Sequence, residues 1–232
     1  MPDLVERIRL LPRYEPQRQF NEAGEREYIT PSGIAAGVTT ILSGSRDNSD
    51  LEEWRESMGY ERADFISSFA SFRGTGHHGN IEQFLLDGIE PPFSFAFTPY
   101  WKSTRRFLDR ITRPVLIEGA VWHPDGFAGT PDCIAYLDDD DLQPSLLDWK
   151  TADSLRKPNK IYEYSLQLAA YAAAANHVYG HMGLDIRRAL LVIAIADSPP
   201  QIEELNAKDL AQYYQHFLAR LQRFTFARGS RR

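Results

Sequence analysis

The alternation of apolar and polar positions divides the chain into an irregular beginning, two helical stretches, a group of strands, and a closing succession of helix, strand and helix. Residues 1–48 hold Pro2, Pro12, Pro16 and Pro31, which interrupt any long helix, and Thr30-Pro31-Ser32-Gly33 has a turn composition that a short strand can flank. Ser49 or Asp50 stands where a cap belongs for a helix opening at Leu51, with Glu52, Glu53 and Glu56 complementing its positive end. That helix bends near Gly59 and continues to Phe72. Phe65, Phe69 and Phe72 recur along it at i, i+4 and i+7, a single face whose ordinary reading is core and whose rarer one is a platform for stacked bases. Gly74-Thr75-Gly76 then breaks the chain ahead of a second helix over 78–86, closed by Asp87-Gly88. A further helix over 101–111 carries Arg105, Arg106 and Arg110, with Arg113 just beyond.

Three strand-like runs follow, 115–122, 127–136 and 145–151. His123-Pro124-Asp125-Gly126 joins the first two and an acidic turn over 138–141 joins the last two, which predicts an antiparallel meander. Residues 162–179 read as an alanine-rich helix able to pack closely on a sheet. The continuous apolar run 189–196 has the length of a buried central strand, and 205–226 reads as a final helix leading into Arg228, Arg231 and Arg232. Neither an internal repeat nor a linker divides the sequence. One domain is expected over 1–232, with 1–48 packing irregularly on a core at 49–229.

Composition narrows the class. The 232 residues, 43% hydrophobic and 25% charged, suffice for a buried core. The single cysteine, Cys133, excludes a disulfide framework, a four-cysteine zinc site and a cysteine-held iron-sulfur cluster. No apolar run approaches the roughly 20 residues of a membrane span. The first residues mix Asp3 and Glu6 with Arg7, Arg9 and Arg13, unlike a signal or transit peptide, so a cytoplasmic protein is expected. A net charge of -6, from 26 Lys+Arg and 32 Asp+Glu, argues at first against a polyanionic partner. The distribution weakens that argument, because positive charge gathers in Arg105, Arg106, Arg110, Arg113 and the C-terminal arginines while carboxylates gather where a cation would neutralise them.

Those carboxylates lie in Gly129-Thr130-Pro131-Asp132 and Asp148-Trp149-Lys150-Thr151. Side chains alternate along a strand, so Asp148 and Lys150 share one face and Trp149 takes the other. A hairpin centred near Asp140 places Asp132 across from Asp148, and two carboxylates that close repel unless a cation lies between them. Oxygen donors beside a lysine suit Mg²⁺ or Mn²⁺ with a phosphate. The preceding hairpin brings Glu118 to within about one residue of the Asp132 level, as a second-tier ligand candidate. His78 and Glu82 share a helical face at i and i+4, as do Gln167 and Tyr171. Each element alone is ordinary. A strand D-x-K is usually surface alternation, with roughly a one-in-ten chance of being catalytic, and the acidic turn reads as solvated.

Taken in order along the chain, these residues resemble the PD-(D/E)XK nucleases of the RecB-like branch. Gly74-Thr75 with His78 and Glu82 looks like the first motif of that branch, Gly129-Thr130-Pro131-Asp132 like the second, Asp148-Trp149-Lys150-Thr151 like the third, and Gln167 with Tyr171 like the helical Q-x-x-x-Y motif. Thr30-Pro31-Ser32-Gly33, Val38-Thr39-Thr40-Ile41-Leu42, Trp54, Arg73, Ile81, Ile117-Glu118-Gly119 and Gln167-Leu168-Ala169-Ala170-Tyr171 are similar to the mitochondrial genome maintenance exonuclease group and its phage and bacterial relatives, over about 28–176.

The resemblance implies an α/β restriction-endonuclease-like core, a central mixed β-sheet flanked by helices, and one or two Mg²⁺ or Mn²⁺ ions with no iron-sulfur cluster. It implies hydrolysis of DNA phosphodiesters from ends of single strands, in repair, recombination or replication, by a monomer with no membrane partner. Carried over by position, His78, Asp132, Asp148 and the Trp149 carbonyl become metal ligands, Lys150 the residue that orients water, and Glu82 a support for His78 or a second metal. Gln167, Tyr171, Arg73 and Thr151 become substrate contacts. The alternatives are an endonuclease or double-strand exonuclease of the same fold, a non-catalytic nucleic-acid-binding module, and a hydrolase of small phosphoesters. A phage or bacterial source is expected.

Overall fold

The computed structural model describes residues 10–229. Its first part corrects the expectation of an irregular segment. Strands β1 (Arg18–Phe20), β2 (Arg26–Thr30) and β3 (Gly33–Gly37) form an antiparallel meander, followed by helix α1 (Val38–Gly44). The prolines that forbid a helix here fall outside these strands, and Pro31 lies in the β2–β3 turn, where Thr30 Oγ1 donates to the Gly33 carbonyl at 2.7 Å. Tyr28 and Ala35 point inward and cluster with Ala128.

Helix α2 (Ser49–Met58) ends at Gly59, whose φ of 83° turns the chain into α3 (Tyr60–Asp87). The cap position is Asn48 rather than Ser49 or Asp50, and the Asp47 carboxylate accepts the Ser49 N–H at 2.9 Å. The glycines at 74 and 76 do not break the chain. They lie inside α3, where a Cβ on Gly76 would overlap the Phe97 ring, so close packing supplies what helix propensity lacks. The predicted core stripe is also corrected: Phe65, Phe69 and Phe72 are 71%, 46% and 57% exposed. They touch one another instead, Phe65 and Phe69 at 6.4 Å and Phe69 and Phe72 at 6.5 Å between ring centres, on the half of α3 that runs past the core.

Helix α4 (Thr98–Leu108) stops short of the expected end, and Ile111 already belongs to β4 (Ile111–Ile117). The expected strand runs then divide between two sheets. The first holds β1-β2-β3-β6-β5 and the second β10-β9-β8-β7-β4, where β5 is Val121–His123, β6 Phe127–Gly129, β7 Cys133–Leu137, β8 Asp140–Ala152, β9 Ala189–Ile195 and β10 Gln201–Leu205. Both sheets are mixed, with β3 and β6 parallel, β8 and β9 parallel, and the other pairs antiparallel. One long hairpin therefore passes from one sheet to the other at 118–120 and 130–132. At the crease Glu118 takes a φ of 49°, and its N–H donates to the Asp132 carbonyl at 3.1 Å.

Helix α5 (Pro158–Tyr179) and helix α6 (Ala207–Gly229) cover one face of the second sheet with α1, and α3 and α4 cover the other. Strand alternation sorts the two cores: Leu146 joins the first, Leu147 and Trp149 the second. Strand β9 is buried throughout, as its apolar run predicts, and Leu205 closes β10 rather than opening the last helix. Among the described residues no helix is long and apolar enough to cross a membrane. Arg231 and Arg232 lie outside the described residues.

Candidate active site

The site lies at the crease. Cys133 pairs with Leu147 and Ile134 with Leu146, so the register carries Asp132 opposite Asp148, and the Trp149 N–H donates to Asp132 Oδ2 at 2.7 Å. Strand alternation sends the Trp149 indole into the far core and brings Asp148 and Lys150 to the near face. From α3, His78 Nε2 donates to the Trp149 carbonyl at 2.7 Å and Nδ1 stands 3.4 Å from Asp132 Oδ1. From α5, Gln167 Nε2 donates to Asp148 Oδ1 at 3.2 Å, while the Lys150 ammonium pairs with the other carboxylate oxygen. Tyr171 lies one turn further on and packs where Gly129 leaves room, since a Cβ on Gly129 would overlap its ring.

These groups surround an open cavity of about 590 Å³, lined by His78, Glu82, Glu118, Asp132, Lys150, Gln167 and Tyr171 from the expected set. Gly74 and Gly79 also line it, and no atom stands within 4 Å of where their Cβ atoms would be, so the glycines keep that wall of α3 low. Asp148 sits beneath, 1% exposed, held by Lys150 and Gln167. Arg73 and Thr151 do not line the cavity. Arg73 is buried, with its guanidinium donating to Asp153 at 2.6 Å and Thr151 at 3.3 Å and lying 4.7 Å from the Tyr100 ring centre.

Charge is strongly coupled here. Burial disfavours a charged imidazole at His78, but the Asp132 carboxylate outweighs it and pushes His78 up to about 9. Burial likewise opposes ionisation of Asp132, yet His78, Lys150 and the Trp149 N–H hold that carboxyl below its ordinary value. Burial first, then the Asp132 charge, push Glu118 up to about 7, and burial pushes Asp148 up to about 6 against the pull of Lys150. Lys150 stays protonated despite burial because Asp148 and Asp132 raise it. His77, buried without a hydrogen-bond partner, is pushed down to about 3 by burial, and burial drives the Cys133 thiol far up, so neither carries charge.

Ligand atoms of His78, Glu118 and Asp132 all lie within 4.8 Å of one another. An imidazole and two carboxylates beside a main-chain carbonyl form an oxygen-rich donor set that fits a hard divalent cation. Asp148, turned to Lys150 and Gln167, stands outside that group of three. Glu118 occupies the Asp132 level itself, because Ile117 pairs with Cys133 and the next residue turns at the crease.

The expected basic surface is corrected. Arg105 pairs with Glu90 and Asp109, and Arg110 with Asp138 at 3.1 Å and Asp139 at 2.6 Å, at the opposite end of β7 from Asp132. Arg113 lies over the Tyr136 ring, and Arg228 binds Glu27 and Glu25. The acidic turn is not simply solvated, because hydrogen bonds from Arg188, against a small burial penalty, hold Asp139 down to about 2. Cationic groups at the cavity come instead from the N-terminal sheet, as Arg18 and Arg26, with Tyr28 and Thr39 beside them. The period-two placement of Arg26 and Tyr28 before a turn was the available signal for that strand.

Residues 78–230 match the family model of the PD-(D/E)XK nuclease superfamily. Among curated proteins, mitochondrial genome maintenance exonuclease 1 of Homo sapiens is 26% identical over 208 residues, which is 83% of this chain and 58% of that protein. The chain thus spans less than two thirds of that relative's length. Among solved structures, a candidate exonuclease from Eubacterium rectale has a TM-score of 0.44 at 9% identity, over 67% of this chain and 68% of its own. An alkaline exonuclease from Laribacter hongkongensis has a TM-score of 0.37 at 12% identity, over 84% and 92%. Family membership rests on the sequence match.

Proposed function

Because the chain belongs to the PD-(D/E)XK nuclease superfamily, we propose that it is a metal-dependent deoxyribonuclease, a single nuclease domain that hydrolyses phosphodiester bonds from the ends of single-stranded DNA. The observation that carries this reading is the convergence of His78, Glu118 and Asp132 within 4.8 Å, in a cavity that Lys150 also lines. The relative's name supports action from ends and a place in genome maintenance.

Asp132, Glu118 and His78 would hold a Mg²⁺ or Mn²⁺ ion, with the Trp149 carbonyl and Asp148 as further donors. The chemistry such an ion supplies when bound is activation of water and neutralisation of charge at phosphorus. Lys150 keeps a fixed positive charge beside the phosphoryl oxygens and orients the attacking water, a preorganised arrangement that needs no rearrangement as charge develops. Gln167 fixes the Asp148 carboxylate and, with Tyr171, positions the substrate backbone. Glu82 supports the His78 side of the cavity. Arg73 and Thr151 act from behind, locking the end of β8.

The test uses end-labelled linear single strands, linear duplex and circular single strands with Mg²⁺, Mn²⁺ or EDTA, alongside Lys150→Ala. Metal-dependent shortening of linear single strands, lost in Lys150→Ala, is expected. Circular strands cut as fast as linear ones would overturn action from ends, and cleavage that persists in EDTA would overturn the metal requirement.

A further inference from the structure

Lys160, Tyr164, Gln167 and Tyr171 recur on α5 at intervals of four, three and four, and so share one helical face. That face runs directly over the site. The Tyr164 ring centre is 5.5 Å from Lys150 Nζ, Gln167 holds Asp148, and Tyr171 seats against Gly129. From Lys160 to Tyr171 the helix rises about 16 Å.

Cations gather at both ends of this face. At the Tyr171 end, Arg18 donates to Thr130 Oγ1 at 3.2 Å and Arg26 to Thr39 Oγ1 at 3.0 Å. At the Lys160 end, Arg156 donates to the Thr151 carbonyl at 3.2 Å and Arg46 to Asn48 at 3.2 Å, both neutral partners. Partial burial and then the nearness of Arg46 and Arg156 lower the Lys160 pKa, while the neighbouring Glu163 is engaged by Arg220 at 2.8 Å. Helix α1 packs along α5, with Thr39 at its start and Arg46 just past its end, which fits the two groups to opposite ends. Among the described residues none of these five cations has a carboxylate within ion-pair distance, whereas Arg73, Arg105, Arg110, Arg188, Arg220 and Arg228 all do. Cationic groups left without counter-charges are free to neutralise phosphates, which releases the cations condensed on a nucleic acid strand.

We propose that a single strand of DNA crosses the site along this face of α5, its phosphates held by Arg18 and Arg26 on one side of the cleavage position and by Lys160, Arg46 and Arg156 on the other. The path rests on the nuclease reading, and it recruits Arg18, Arg26 and Arg46 from outside the segment that matches the family model.

The test is fluorescence anisotropy of a labelled phosphorothioate oligothymidylate in EDTA, titrated at several salt concentrations with the wild-type chain, Arg26→Gln, Lys160→Gln, the double variant, Arg26→Lys and Arg106→Gln. Each single loss of charge is expected to weaken binding several-fold and to reduce the slope of log K against log salt by about 0.7, and the double variant by twice that. Arg26→Lys should keep the wild-type slope, which a merely structural arginine would not, and Arg106→Gln, an exposed arginine off the path, should change nothing. Wild-type slopes in Arg26→Gln or in Lys160→Gln would overturn a two-sided path, as would an equal loss in Arg106→Gln. Binding with these slopes in a chain that never cleaves would leave the path standing and overturn the nuclease reading alone. A wild-type chain that binds no single strand overturns both.

Discussion

The main chain of Trp149 joins two site residues at once: its N–H donates to Asp132 at 2.7 Å and its carbonyl accepts from His78 at 2.7 Å. The peptide groups flanking one residue thus set the spacing of an acid on one hairpin and an imidazole on a helix. Asp132→Asn retains an acceptor for the N–H but removes the charge that raises His78. The fold should persist, activity should fall by about 100-fold or more, and the His78 titration should move from about 9 to well below it. NMR titration of the imidazole without metal checks this, and an unmoved His78 would contradict the arrangement.

Cation binding should be pH-linked. His78, pushed up to about 9, and Glu118, pushed up to about 7, both carry protons in the free protein at pH 6 and must lose them to serve as ligands. Affinity for Mn²⁺ should therefore rise from pH 6 toward pH 9, with protons released on binding. Calorimetry in buffers of different ionisation enthalpy measures the release, and an apparent enthalpy independent of buffer would refute it.

Removing the cation should also lower stability. A divalent ion held by His78, Glu118 and Asp132 in the folded chain alone would, at 100 times its Kd, contribute about 2.7 kcal/mol. Addition of Mn²⁺ should raise the melting temperature, EDTA should reverse the rise, and Asp132→Asn should show little of either.

Gly129→Ala tests the seat of Tyr171. The added Cβ overlaps the ring, and overpacking of this kind costs about 1–3 kcal/mol. Gly129→Ala should be destabilised in denaturant titrations, and Tyr171→Ala in the same chain should recover part of the stability without recovering activity. An undisturbed Gly129→Ala chain would show that the seat is loose.

The phenylalanine stripe and the core face of α3 should separate cleanly. Phe69→Ser, at an exposed position, should change stability by less than about 0.5 kcal/mol, whereas Ile81→Ala, at a fully buried one, should cost about 2–5 kcal/mol. Similar losses at both positions would mean that the stripe is covered in solution.

The core of the site was legible because strand alternation and hairpin symmetry are local. A turn centred near Asp140 predicts Asp132 opposite Asp148. The turn actually falls at Asp138 and Asp139, and a register shift between Ala135 and Leu137 restores the same pairing. Glu118 was less legible because its level depends on a left-handed residue at a crease between sheets, which no alternation pattern signals. Of the N-terminal sheet only a short strand beside the turn at 30–33 was legible, where β2 and β3 indeed lie, because prolines mask the other short strands and because β3 finds its partner β6 in parallel some ninety residues on. The glycines of α3 suggested a break since propensity sees only the chain, whereas the Phe97 ring that fills the space at Gly76 comes from elsewhere.

Strand β8 keeps its chemistry and its packing in separate alternate positions. Residue 149 serves the site through its peptide groups alone, and its indole answers only to Phe107 and the apolar layer behind the sheet. The side chain at 149 is therefore open to drift among bulky apolar types, as an adjustable fitting in the interior. Its neighbours at 148 and 150 have no such latitude, so substitution along this strand should be tolerated and forbidden by turns, residue after residue.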